Sequence, residues 1–289
     1  MDVTTRSTTA STVRHATVLD ARPLGPAAVR VTLGGPDLTG LPPAAPDGYL
    51  KMFFPRRTGE VPVLPPLEDG DVGRWYSSYL AMPGEVRPPM RTYTLRRRRD
   101  RVDGVEIDVD LVLHPGASGP GDAWARAASP GDRVAFTGPW GLHAPRPEHD
   151  AQLLVGDATA VPAMGAIVES LPAGARVDVV AAVGSAAEVQ HWSTAGRVEV
   201  TWVDSGRGAN LLDVVARAPL PGGRPYVWLA GEAGVVRELR RHLTRERGVD
   251  KRDITFCGYW RRGRSEDQAA AEAMAAGPDA DADIDADTD

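Results

Sequence analysis

The sequence predicts a two-domain β plus α/β protein: an antiparallel β-barrel over residues 13–148, then a parallel-sheet α/β unit over residues 150–265. Three patterns carry that expectation. Up to about Trp140 the chain offers many short Val- and Thr-containing runs divided by Gly and Pro, with one short helical stretch, which describes a closed antiparallel barrel. From about Asp150 apolar runs alternate with helical periodicity, the signature of a parallel sheet with crossover helices. Beyond Gly277-Pro278 aspartates alternate with Ala, Ile or Thr, so residues 268–289 are expected to form a disordered acidic tail.

The first strands are expected at His15 to Leu19 and Ala28 to Leu33, the second broken by Gly34-Gly35-Pro36-Asp37. Tyr49 to Pro55 is a further strand with Lys51 inside an apolar run. Such an ammonium either snorkels from a barrel rim or meets a ligand. Arg56 to Pro89, rich in Pro, Gly and charge, is expected to be an insertion loop. Next comes Arg91-Thr92-Tyr93-Thr94. Side chains alternate along a strand, so Arg91 and Tyr93 share a face, where a guanidinium matches a phosphate and a phenol ring suits an aromatic heterocycle. That pairing suits a flavin nucleotide, with Thr94 supplying a hydroxyl and an N–H at the ring edge.

Asp103-Gly104 is expected to turn a hairpin into a strand from Val105 to Leu113, with Arg96 to Arg99 as its solvated arm or, alternatively, an anion-binding face. The run from His114 to Gly121 is glycine-rich and opens a short helix over Asp122 to Ala128. The free N–H groups of such a turn offer a second place for a pyrophosphate, with Pro120 suited to a first-turn position. Arg133 to Thr137 completes the barrel.

In the second half strands are expected at Leu153 to Val155, Val177 to Val183, Val198 to Val203, Tyr226 to Ala230 and Ile254 to Trp260. Helices are expected near Val161 to Leu171, Ala186 to Trp192, Leu211 to Ala218 and Val235 to Arg247. Nucleotides bind such sheets at the carboxyl ends of the strands, where Gly156-Asp157-Ala158-Thr159 and Gly231-Glu232-Ala233-Gly234 lie. Neither turn is a GxGxxG fingerprint, which disfavours a long-chain Rossmann dehydrogenase.

Composition limits the chemistry. At 289 residues and 42% hydrophobic content the chain can bury two cores, and the lone Cys257 excludes both an internal disulfide and a cysteine-held cluster. Redox chemistry here requires an organic cofactor. The formal charge of −6 arises in the tail: without Glu272 and the six aspartates from Asp279 to Asp289 it becomes +1. No run of about 18 apolar residues exists to span a bilayer, and the N-terminus lacks a signal-peptide core, so a cytoplasmic location is expected. The expected partners include no nucleic acid and no metal, and the expected state is a monomer.

Six motifs, in order, resemble the ferredoxin–NADP reductase superfamily and, within it, the siderophore-interacting proteins, or NAD(P)H-dependent ferric-siderophore reductases. They are YLKMFFP from 49, RTYT from 91, VLHPGASGPGDAWA from 112, LLVGDATAVPA from 153, YVWLAGEAGVVRELRRHL from 226 and GYWRRGRSED from 258. The resemblance implies a Greek-key FAD-binding barrel and an NAD(P)H-binding α/β domain, with NADH or NADPH as donor and a ferric siderophore as substrate. Arg91 would meet the FAD phosphates, Tyr93 and Thr94 the ribityl and ring, Gly119, Pro120 and Gly121 the pyrophosphate, and His114 the adenine side. Asp157, Thr159, Gly231, Glu232 and Ala233 would face flavin and nicotinamide, and Lys51, Arg240, Arg241, Arg261 and Arg262 would converge on an anionic substrate. The GDATA turn departs from the family by carrying Ala158 where a glutamate is usual. No acid–base dyad is required. Two other readings stay open, a flavin reductase for a protein acceptor such as a ferredoxin-dependent partner and a non-catalytic siderophore-binding or iron-handling module. Asp157 as a helix cap, His114 as a barrel histidine, Trp124 and Trp260 as core or rim aromatics, and Cys257 as packing are the purely structural alternatives.

Overall fold

The computed structural model describes residues 12–67, 71–113 and 119–264. His114, the N-terminal residues 1–11 and the acidic tail lie outside the described residues. Six strands, β1 (Arg14–Pro23), β2 (Ala28–Gly34), β3 (Tyr49–Phe53), β4 (Met90–Arg101), β5 (Gly104–Val112) and β6 (Arg133–Trp140), close into an antiparallel barrel in the order β1-β2-β5-β4-β3-β6. That order is a Greek key, because β3, β4 and β5 follow as neighbours and β6 returns beside β3. Alternation along β3 explains its composition. Leu50, Met52 and the following Phe54 enter the barrel core, whereas Phe53 faces outward.

The expected loop from Arg56 to Pro89 contains helix α1 (Val72–Leu80), capped by the Asp71 carboxylate on the Arg74 N–H. Trp75 and Tyr79, one turn apart, bury their rings edge-on against Phe53 and so cover the outer face of the barrel. Pro and Gly dominate the flanks of this helix, and they masked its short aromatic stripe. The hairpin after β4 turns at Val102-Asp103, with Arg101 paired to Gly104. Helix α2 (Pro120–Ala127) follows β5.

The second half forms a five-stranded parallel sheet from β7 (Ala151–Gly156), β8 (Arg176–Val183), β9 (Arg197–Asp204), β10 (Pro225–Glu232) and β11 (Ile254–Trp260), in the order β11-β10-β7-β8-β9. Helices α3 (Val161–Glu169), α4 (Leu211–Arg217) and α5 (Ala233–Arg245) cover its two faces, each of which builds its own core. On α5 the buried residues are Val236, Leu239 and Leu243, one stripe at helical spacing. The helix expected over Ala186 to Trp192 is instead a single 3-10 turn, Ala186–Glu188. The Glu188 carboxylate accepts from the Gly184 N–H and the Ser185 hydroxyl, and these local bonds close the turn before a second helical turn can form.

The two units are joined by polar contacts. Asp47, before β3, accepts from the Leu142 and His143 N–H groups of the connecting segment and from the Trp228 indole N–H in β10. Arg96 and Arg97, expected to be a solvated arm, instead reach across to α3. Arg96 is 3% exposed and donates two 2.8 Å hydrogen bonds to Glu169, and Arg97 adds a third at 2.9 Å. Gly165 makes room, because a Cβ there would lie 3.0 Å from the Arg96 guanidinium. Behind Arg96, Asp110 sits 3.8 Å away and is itself held by Arg30, while Arg99 pairs with Asp108. Four consecutive arginines thus pair largely with acids on β5 and α3, and an isolated sequence cannot show those partners.

Burial raises the Glu169 carboxyl, but hydrogen bonds from Arg96 and Arg97 outweigh it and hold the group at about 2. A depressed folded-state value means that the contact contributes fully above the unfolded value of about 4.3 and is lost as pH falls through about 2. Glu169→Ala is expected to cost about 3 kcal/mol at pH 7, since Arg96 keeps only the more distant Asp110. The difference in Tm between wild type and variant should shrink as pH falls from about 4.5 towards 2. A gap that stays constant across that range would remove the contact from the stability of the junction.

Candidate functional site

In the parallel sheet β7 and β10 are neighbours, yet the chain leaves them towards opposite edges. The crevice beyond their carboxyl ends is therefore the topological switch point. Gly156 ends β7, and a Cβ there would overlap the Ala230 carbonyl, so only glycine lets the two strands approach this closely. The next residue, Asp157, organises the crevice. Its Oδ1 accepts from the Thr159 N–H at 2.9 Å and the Thr159 hydroxyl at 2.5 Å, and its Oδ2 accepts from the Glu232 N–H and the Trp260 indole N–H, each at 2.8 Å. One carboxylate thereby fixes the turns after β7 and β10 and the end of β11. Gly231 has φ +137, and a Cβ on it would lie 2.6 Å from the Asp157 carboxylate, so the geometry excludes any larger residue.

Asp157 does not act as the cap of α3, whose N-cap is Ala160 without a side-chain hydrogen bond. Glu232 is the cap of α5, accepting from the Val235 N–H, and its other oxygen accepts from the Arg262 N–H at 3.3 Å. Asp157, Thr159, Gly231, Glu232 and Ala233 are therefore brought together, with Trp260 and the Arg262 backbone beside them.

On the barrel, the start of α2 packs against the face that Arg91 and Tyr93 share. A Cβ on Gly121 would overlap the Tyr93 hydroxyl and come within 3.4 Å of Arg91 Cγ. Gly119 is extended at the N-cap of α2 and makes no side-chain cap, at the end where a helix start turns outward. Tyr93 meets Phe54 edge-on, and Phe54 packs on Trp124, which fixes the phenol ring from inside the barrel. Thr94 is buried opposite Tyr49 in β3. Arg91, Tyr93, Gly119, Pro120 and Gly121 form one small-residue cradle with a guanidinium at its side. That donor set fits a dinucleotide pyrophosphate, and the absent side chain of Gly121 lets the start of α2 close onto the Tyr93 hydroxyl.

The sheet and barrel meet across a cleft. Leu24, Ala28 and Val112 line one wall, and Ala158, Val161, Val183 and Glu188 line the other. The five cations are placed as follows. Lys51 lies on the outer face of β3 between Thr92 and Thr137, with Nζ 5.4 Å from the Tyr76 ring of α1. Arg240 sits over the Phe256 ring at 4.3 Å, Arg241 is exposed on α5, and Arg261 and Arg262 are exposed just beyond Trp260. Cys257 is partly buried on β11, and burial pushes its thiol up, away from reactivity. Sequence reasoning missed Asp47, Glu169 and Tyr76, which take their meaning from contacts across elements, and Glu188, which bonds within its own turn. Among them only Glu188 carried a signal, as a carboxylate just past the second strand of a βαβ unit.

Comparisons with known proteins identify both halves of the chain. Residues 17–143 match the siderophore-interacting FAD-binding domain, and residues 149–263 match the siderophore-interacting protein model. The ferric vibriobactin reductase ViuB of Vibrio cholerae is 30% identical over 83% of this chain and 86% of its own length. The NADPH-dependent ferric-chelate reductase of Escherichia coli is 28% identical over 86% of this chain and 92% of its own. A solved siderophore utilization protein from T. fusca superposes with TM-score 0.75 at 35% identity, covering 89% of this chain and 95% of that one.

Asp157→Asn keeps the shape but turns an acceptor into a donor that faces either Thr159 or the Glu232 and Trp260 N–H groups. The expected cost is about 1–3 kcal/mol, with Trp260 emission altered and the barrel's ligand capacity intact. Unchanged tryptophan emission together with unchanged stability would show that the carboxylate does not hold the turns.

Proposed function

The chain belongs to the siderophore-interacting protein family, and on that premise we propose that it is a ferric-siderophore reductase that moves electrons from NADH or NADPH, through FAD, to Fe(III) held in a chelate. The observation that carries the proposal is that each half of the chain builds its own nucleotide-shaped turn. The Arg91, Tyr93 and Gly121 cradle lies on the barrel, and the turns fixed by Asp157 lie on the sheet.

When bound, FAD would supply the chemistry that links a two-electron nicotinamide donor to one-electron reduction of iron. Oxygen chelators bind the resulting Fe(II) far more weakly, so reduction releases the metal. The protein's residues supply placement. Arg91 and the turn at Gly119, Pro120 and Gly121, with N–H groups on the two glycines, would hold the pyrophosphate of FAD, Tyr93 would cover the ribityl and ring, and Thr94 would meet the ring edge. Thr159, Gly231, Glu232 and Ala233 border the nicotinamide, and Asp157 positions them. Lys51, with Arg261, Arg262, Arg240 and Arg241, raises the local concentration of an anionic chelate through a salt-screened field. No proton donor is needed for the electron-transfer step. The protein works as a cytoplasmic monomer in this reading, and among the described residues no helix is long and apolar enough to cross a membrane.

The test is anaerobic. Yellow protein should bleach with NADH or NADPH and recolour with a ferric siderophore, while a ferrous-specific dye reports one Fe(II) per electron. Bleaching without recolouring would favour a reductase for a protein acceptor, and no bleaching would favour a binding module. Arg91→Ala should weaken FAD by about one to two decades, or about 1.5–3 kcal/mol, without unfolding the barrel. Full occupancy at limiting FAD would displace Arg91 from the site. Lys51→Ala should lower kcat/KM for an anionic ferric chelate more at low salt than at high salt, with flavin reduction by the nicotinamide unchanged. An equal loss toward a neutral chelate would remove Lys51 from the substrate face.

A further inference from the structure

The donor's second ribose is discriminated, in doubly wound sheets, at the end of the strand that follows the first crossover helix. Here that strand is β8, and the residues just beyond it are Gly184, Ser185 and the 3-10 turn ending at Glu188. Glu188 lines the interdomain cleft together with Val183 from the end of β8 and Val161 and Pro162 from the start of α3. The start of α3 is where a dinucleotide's pyrophosphate would lie, so Glu188 sits one strand further along, where the adenosine ribose follows.

Three features of this corner bear on a 2′-phosphate. The Ser185 hydroxyl, a natural phosphate donor, is committed to Glu188 Oε1 at 3.2 Å, and the Gly184 N–H is committed to Oε2 at 3.2 Å. The other ionisable residue on the cleft wall is Asp110, already held by both arms of Arg30 at 2.6 and 2.7 Å, and no lysine or arginine lines the cleft among the described residues. Arg207, in the turn after β9, is exposed with its guanidinium 3.4 Å from Asp204. That turn is wedged against the first, since a Cβ on Gly206 would overlap the Gly184 carbonyl. The corner therefore presents a fixed carboxylate with spare lone pairs, which suits ribose hydroxyls and opposes a second negative group.

We propose that Glu188 is the specificity-determining residue for the nicotinamide donor and that it makes this chain select NADH over NADPH, by accepting from the adenosine ribose hydroxyls and repelling a 2′-phosphate. The proposal rests on the reading of the α/β unit as a nicotinamide dinucleotide site.

The test needs no turnover. Oxidised, flavin-loaded protein is titrated calorimetrically with ADP-ribose and with 2′-phospho-ADP-ribose, in wild type and in Glu188→Gln, which retains an acceptor for the Gly184 N–H. Wild type should bind ADP-ribose at least about tenfold more tightly, and the variant should bring the two ligands to within about threefold, mainly by gaining affinity for the phosphorylated one. Flavin content and Tm should not change. Equal or tighter binding of 2′-phospho-ADP-ribose by wild type overturns the proposal while leaving the dinucleotide site standing. A preference that survives in Glu188→Gln removes Glu188 as its cause. Binding of neither ligand overturns the dinucleotide reading, and this proposal with it.

Discussion

The arrangement of both halves depends on Asp47, a carboxylate 2% exposed at the foot of β3. Burying a charge is tolerated only when it is fully hydrogen-bonded, and here the donors come from two separate parts of the chain: the adjacent Leu142 and His143 N–H groups and the Trp228 indole. Trp228 belongs to β10, whose end carries the Glu232 turn. The geometry of the barrel wall is thereby transmitted to the crevice where Asp157 sits. A cleft between independently folded cores has no fixed width unless something of this kind sets it.

A second carboxylate, Glu169, works from the other side. Its pairing with Arg96 and Arg97 presses the C-terminal end of α3 onto β4, and the first turn of α3 borders the cleft. Both junction contacts are polar, in keeping with interfaces between domains of one chain, which resemble transient surfaces more than cores. They demand exact partners, whereas apolar packing would tolerate sliding. A hydride acceptor and its donor have to meet within a few tenths of an ångström, so directional contacts suit the task.

Much of the architecture was legible in the sequence, because it depends on local pattern. Alternation marked the barrel strands, apolar runs with intervening helical stripes marked the parallel sheet, and the turns at Gly156 and Gly231 stood at strand ends as that pattern requires. The misreadings share one cause. Helix α1 is held by Phe53, the Arg96 to Arg99 run by Glu169, Asp108 and other distant partners, and the turn at Glu188 by its own side chain folding back on Gly184. In each case the deciding contact overrides a local propensity. The site shows the same division. Arg91 and Tyr93 announced a shared face by their spacing, while the role of Asp157 as the brace between two turns emerges only when β7, β10 and β11 lie side by side.

The segment joining the two cores is bolted along most of its length. Beyond the Asp47 contacts, the Ala144 N–H donates to the Tyr226 hydroxyl, Arg146 and His149 both reach the buried Asp253, and the Asp150 N–H bonds the Arg224 carbonyl. A connection of this kind is no hinge. Loss of either core strips partners from the same ten or so residues and leaves their buried polar groups unsatisfied, so neither half can melt without taxing the other. Two hydrophobic cores normally give two unfolding transitions, whereas a shared seam of this kind favours a single cooperative one.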